Sequence, residues 1–123
     1  MKENILQGTI TAIVTPFKED MTIDFDAFKK LIDFQIDSGV DAILVCGSTG
    51  ESATLSEKEK VALITQAVEY SAGRVPIIAG TGSNSTESTL AMTTLAKELN
   101  ADAVLLVAPY YNKPSQEGLY NHF

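Results

Sequence analysis

Four short apolar runs rich in isoleucine, leucine or valine recur along the chain at a near-constant spacing. They are TAIVTP (Thr11 to Pro16), DAILVCG (Asp41 to Gly47), VPIIAG (Val75 to Gly80) and DAVLLVAP (Asp102 to Pro109). Each is continuous rather than alternating, the pattern of a strand buried on both faces. Helical patterns fill the intervals. The first takes Asp24 or Asp26 as its N-cap, groups Phe28, Leu31, Ile32 and Ile36 on one face, and stops at Gly39. The second opens with Ser56 and Glu59, an S-x-x-E capping box, and places Val61, Ile64 and Val68 together. The third starts at Ser85 or Thr86 with Leu90, Leu95 and Leu99 as its stripe. A fourth follows Pro114-Ser115, with Leu119 and Phe123 set for a buried face.

Strand and helix alternate, so the class is α/β. Short loops and right-handed crossovers make the sheet parallel. The strands are expected to end near Val14, Val45, Ala79 and Val107. A near-constant βα period suits a barrel, and a (β/α)8 TIM barrel needs about 250 residues. This chain has 123. Residues 1–123 are therefore expected to form the N-terminal half of a single TIM-barrel domain: the first four βα units, with the fourth helix truncated. Such a half barrel leaves two open sheet edges and an apolar inner face. The rival architecture is a small flavodoxin-like domain.

Composition narrows the partners. A chain that is 45% hydrophobic and 20% charged suits an ordinary globular domain. Its net charge of -7 repels phosphate backbones and anionic lipid, which argues against nucleic-acid and membrane partners. No apolar run approaches the roughly 18 residues of a membrane span, and the opening residues lack the h-region of a signal peptide. A cytoplasmic location is the expectation. One cysteine, Cys46, and one histidine, His122, leave no internal disulfide and no Cys- or His-rich metal site. Neither a metal nor a cofactor is expected. Cys46 reads as a buried, inert thiol.

Three loops carry candidate chemistry. Gly47-Ser48-Thr49-Gly50-Glu51 lies at the C-terminal end of the second run, where parallel α/β folds place their sites. Its glycines allow a tight turn with N–H groups free to meet an anion, and Ser48 and Thr49 add hydroxyl donors. No Gly-Lys pair follows, so this is not a triphosphate loop. A small carboxylate fits, and so does a plain turn with a capping hydroxyl. GTGSNS (Gly80 to Ser85) imitates a dinucleotide fingerprint but puts Ser85 at the third glycine, and Asp102 falls before a strand. APYYNKPS (Ala108 to Ser115) offers adjacent tyrosines that would point to opposite sides at a strand's end. One could relay protons at a site; the pair could equally pack at an interface. Glu57, Glu59, Asp24 and Asp26 read as caps and solvated faces.

Together AIVTPF, GSTGESATLS, IIAGTGSN and PYYNKPSQEGLYNHF resemble the N-terminal half of the dihydrodipicolinate synthase family. The likeness spans nearly the whole chain in order and spacing. The first two motifs also occur across the wider pyruvate-dependent class I aldolases, which include N-acetylneuraminate lyases; the last is the more specific. The resemblance implies a (β/α)8 lyase, assembled as a homotetramer of two tight dimers. It joins pyruvate, held as a Schiff base on a later lysine, to aspartate semialdehyde on the way to lysine and diaminopimelate. It implies that Ser48 and Tyr111 belong to a proton relay, Tyr111 crossing a dimer interface. It further implies that Thr49, Gly47, Gly50 and Ala12 surround the pyruvate. Ser48 stands where the family most often has threonine, and neuraminate lyases share Gly-Ser-Thr-Gly-Glu. An N-acetylneuraminate lyase or a 2-keto-3-deoxy sugar acid aldolase is thus the alternative activity, and an inactive, self-associating half barrel is the non-enzymatic one.

The resemblance also implies an allosteric lysine site from Ser52, Ala53, Asn84 and Tyr110. Ser88 stands where inhibited members carry an acid, and Glu57 and Lys60 where they can carry histidines. An ammonium left without its carboxylate binds poorly, so weak or absent inhibition by lysine is expected, with Glu87 the one possible substitute. Lys2, Lys18, Lys29, Lys30, Lys58, Lys60, Lys97 and Lys113 all fall outside predicted strands. None has the desolvated setting that activates an amine. The chain alone is expected to be inactive.

Overall fold

A computed structural model describes residues 7–123; Lys2 lies outside them. Four strands alternate with four helices: β1 (Ile10–Ala12), α1 (Phe25–Asp37), β2 (Ala42–Val45), α2 (Glu57–Ser71), β3 (Ile77–Gly80), α3 (Thr86–Glu98), β4 (Ala103–Leu105) and α4 (Gln116–His122). All three pairings are parallel and the sheet order is β1-β2-β3-β4. A flavodoxin-like sheet would reverse direction at a switch point. The sequential order is instead that of the first four βα units of a TIM barrel.

The helix ends follow from side-chain chemistry. Asp24 caps α1 by accepting from the Ala27 amide at 2.9 Å. Ser56 and Glu59 close both bonds of the capping box on α2. Ser85 caps α3 and Ser115 caps α4. At the far ends of two strands, carboxylates tie neighbouring strands together. Asp41 accepts from the Thr9 amide at 2.7 Å, and Asp102 from the Ile77 amide at 2.9 Å.

The main core lies between sheet and helices. Ile43, Val45, Ile77 and Ala79 face Phe28, Ile32, Leu63, Ile64, Met92 and Ala96. Ala42, Leu44 and Ile78 form a smaller cluster on the other face, with Ala12 and Ala103 beside it. Burial on both faces holds for β2 and nearly for β3, but not for β1 or β4, which are partly exposed. An edge strand has a neighbour on one side only, so half its surface stays open. The same cause shortens the outer ladders, which stop at Ala12 and Leu105 rather than Val14 and Val107.

Three helix faces differ from the expected stripes. On α2 the buried residues are Leu63, Ile64, Ala67 and Ser71, while Val61 and Val68 are half-buried. On α3 they are Thr89, Met92 and Ala96; Leu90 is 64% exposed. The buried face of that helix is thus offset from the stripe of its leucines. On α4 nothing is buried, and Phe123 is 63% exposed. That helix is held to α3 at its last turn, where Thr86 Oγ1 and His122 Nδ1 lie 2.8 Å apart.

Candidate functional site

The loop after β2 begins with a left-handed residue. Cys46 has φ 56° and turns the backbone off the strand. A compact double turn follows. The Glu51 amide donates to the Ser48 carbonyl at 3.0 Å, and the Ser52 amide to the Gly47 carbonyl at 3.3 Å. Glu51 is itself left-handed at φ 61°. These bonds leave the amides of Ser48 and Thr49 with no acceptor among the described residues. Both side chains are exposed. Two N–H groups and two hydroxyls at the C-terminal end of a parallel sheet are donors of the kind an anion takes.

Buried groups hold this loop from both sides. From the β1 side, the Thr15 hydroxyl donates to the Gly50 carbonyl at 2.7 Å. From the β3 side, Gly80 lies so close that a Cβ there would sit 2.2 Å from the Cys46 carbonyl oxygen. Gly50 is also tightly fitted, since a Cβ would lie 3.1 Å from the Ile13 carbonyl oxygen. Neither Thr15 nor Gly80 stood out as functional in the sequence. The available signal was a hydroxyl just past a strand end and a glycine inside one. Ala12 sits at the end of β1, paired with Leu44 and within the inner-face cluster.

Cys46 is buried, with its sulfur 3.9 Å from the Lys60 carbonyl oxygen. Burial pushes its thiol up to about 12, against a weaker downward pull from Lys60. A thiol protonated at neutral pH is no nucleophile, so the inert reading stands.

The GTGSNS loop spends part of its donors internally. The Ser83 amide donates to Thr89 Oγ1 at 3.0 Å, and the Ser85 amide to Ser83 Oγ at 3.2 Å. Ser85 serves as the cap of α3. Asp102 is occupied at the opposite end of β3. The loop's side chains thus serve the start of α3.

Tyr110 and Tyr111 lie beyond β4 in an irregular segment, so strand alternation does not orient them. Tyr111 has φ 73° and is 95% exposed; Lys113 has φ 47°. The segment is tied to the β3 loop by Asn112, whose side-chain amide donates to the Asn84 carbonyl at 2.9 Å.

An open cavity of about 450 Å³ lies between the starts of α2 and α3. Glu57, Lys60, Ser83, Glu87 and Ser88 line it. Ser52, Ala53, Asn84 and Tyr110 are not on its wall. Among the described residues no lysine is buried, and none lies in a strand. No three metal-ligating side chains gather there either. No helix of the described residues is long and apolar enough to cross a membrane.

Comparison with known proteins adds a family. The model of the dihydrodipicolinate synthetase family matches residues 5–123. The 4-hydroxy-tetrahydrodipicolinate synthase of Hydrogenobaculum sp. is 59% identical over 119 residues, covering 97% of this chain and 41% of that protein. The crystal structure of dihydrodipicolinate synthase from Aquifex aeolicus superposes with TM-score 0.92 at 53% identity, covering 94% of this chain and 39% of that one. The chloride-inhibited synthase from Acinetobacter baumannii, complexed with pyruvate, gives 0.93 at 49% identity, covering 94% and 40%. The chain thus spans about 40% of the length of the curated relatives it matches.

Proposed function

The chain belongs to the dihydrodipicolinate synthetase family, and from that premise we propose that it supplies the N-terminal part of an aldolase joining pyruvate to aspartate semialdehyde. The observation that carries this reading is the Gly47–Glu51 cradle. Its two free amides and two hydroxyls suit a carboxylate, and a relative from Acinetobacter baumannii was crystallised with pyruvate. Thr49 holds the carboxylate through its hydroxyl and amide, with Gly47, Gly50 and Ala12 shaping the space around the keto acid. Ser48 and Tyr111 pass protons between the bound substrate and solvent. The exposure of Tyr111 suits a residue that reaches into a neighbouring subunit's site. The assembly is a tetramer of two tight dimers in the cytoplasm.

The reacting amine comes from outside these 123 residues. An attacking lysine needs a desolvated setting to lose its proton near neutral pH, and none of the described lysines is buried. Incubation of the chain with pyruvate and borohydride should therefore leave its mass unchanged. A stable pyruvyl adduct would refute the assignment of the amine.

The cavity between α2 and α3 belongs to the same reading as a degraded lysine site. Lys60 and Ser88 on its wall leave an incoming ammonium only Glu57 and Glu87 as acidic partners. Inhibition by lysine is weak or absent. Ser52, Ala53, Asn84 and Tyr110, which the resemblance adds to the site, lie off this wall.

The decisive experiment completes the barrel. Residues 1–123 are joined to the remaining C-terminal part of the Aquifex aeolicus synthase. Condensation of pyruvate with aspartate semialdehyde is then followed. The chimera should turn over, and Thr49→Val should raise the pyruvate KM about tenfold or more, as expected for losing a bond to a charged group. A folded chimera that cleaves N-acetylneuraminate instead would favour the alternative lyase.

A further inference from the structure

Beyond the residues that meet substrate, the geometry assigns Thr15 as the positioning residue of the carboxylate cradle; this rests on the proposed pyruvate reading. Thr15 is 5% exposed and belongs to the β1 tail, 35 positions from the carbonyl it binds. Its hydroxyl hydrogen points to the Gly50 carbonyl oxygen at 2.7 Å. That carbonyl joins Gly50 to Glu51, the left-handed residue that closes the double turn. Fixing it fixes the direction of the Ser48 and Thr49 amides just before it. A hydroxyl that merely capped its own turn would bond locally. This one crosses between two βα units.

The opposite side of the loop is a steric stop. The backbone of Gly80 abuts the Cys46 carbonyl, and no side chain fits between them. The loop therefore rests against β3 and is drawn toward β1 by one buried bond. A stop without the bond leaves the loop free to lift. Preorganised donors bind an anion without spending free energy on ordering, whereas a loop that must first be ordered binds more weakly.

The experiment uses the chain itself with pyruvate as the probe. Amide chemical shifts of Thr49 and Gly50 are followed during titration, for the wild type, Thr15→Val and Thr15→Ser. Valine keeps the shape and removes the donor; serine keeps the donor. We expect Thr15→Val to weaken pyruvate binding about tenfold, the effect of one buried hydrogen bond, and Thr15→Ser to restore it to within about twofold. Both are compared with melting temperature, because a purely structural role would not give rescue at matched stability. Equal affinity in Thr15→Val and wild type overturns the proposal. If the wild type itself shows no pyruvate-dependent shift, the loop does not hold the keto acid without the amine supplied from outside these residues, and positioning is judged by backbone dynamics. Hydrogen exchange of the Glu51 amide must then speed up in Thr15→Val and recover in Thr15→Ser; unchanged exchange overturns the clamp.

Discussion

The loops after β2 and β4 occupy equivalent places at the same end of the sheet, yet they are held differently. Both contain left-handed residues: Cys46 and Glu51 in one, Tyr111 and Lys113 in the other. The first is flanked by two strands and gripped by buried groups on each side. The second has a neighbour on one side only, and its tether through Asn112 is exposed. Loop conformation is therefore a property of the neighbouring strands as much as of the loop's own residues. A left-handed non-glycine residue costs roughly 1 kcal/mol or more, and it persists where the surroundings fix it.

The largest test of that difference is Gly80→Ala. A methyl group 2.2 Å from the Cys46 carbonyl oxygen must displace backbone on both sides. About 3 kcal/mol or more of stability should be lost, measured by urea denaturation. Gly82→Ala faces an equally short approach, 2.3 Å from the Val107 amide nitrogen. Val107 lies on the open side, where the chain can shift, so the loss should be clearly smaller. Equal losses would erase the distinction between the two loops.

Thiol chemistry gives the next test. Cys46 starts the gripped loop, and burial has raised its thiol to about 12. A cysteine at the exposed position in Tyr111→Cys should keep a value near 8.5, so at pH 8 its thiolate fraction is over a thousandfold greater. Alkylation followed by intact mass should label that position first and Cys46 only on unfolding. Comparable rates at both positions would mean that the β2 loop opens freely.

Removing the exposed tether should matter less. Asn112→Ala deletes one solvent-exposed bond to Asn84. A stability loss below about 1 kcal/mol is expected, read from the melting temperature. A loss as large as that of Gly80→Ala would show the β4 loop to be equally fixed.

The smallest effect lies outside both loops, in another exposed polar clamp. Asp33 accepts from the Tyr70 hydroxyl at 2.5 Å and from Arg74 at 2.9 Å, tying α1 to α2. The Tyr70 hydroxyl and then Arg74 hold the Asp33 carboxyl below its usual range. Its contribution is present above about pH 4 and is lost as pH falls through the lowered value. Asp33 in turn raises the Tyr70 hydroxyl. That contribution is present below about pH 10 and is lost as pH rises through the raised value. Melting temperature should fall slightly beyond both limits, and Asp33→Asn should flatten both slopes. Identical pH profiles would remove the clamp from the stability of the fold.

Hydropathy and capping chemistry act over a few residues, and those features were legible in the chain. Continuous Ile/Val runs placed the strands, Ser56 with Glu59 placed α2, and Ser85 placed α3. The glycine-flanked Ser48-Thr49 pair marked the candidate loop, and Ser85 marked a helix cap in place of a third glycine. The exposure of Leu90 and the grip of Thr15 on Gly50 were not legible. Each depends on which distant segment arrives next to which. Leu90 is exposed because α3 turns Thr89, Met92 and Ala96 inward instead. The free amides of Ser48 and Thr49 required Cys46 and Glu51 to adopt left-handed backbone. Sequence determined the elements and the candidate loop, because those rest on local preferences. Tertiary structure alone decided how firmly the site is held, because that depends on contacts between strands far apart in the chain.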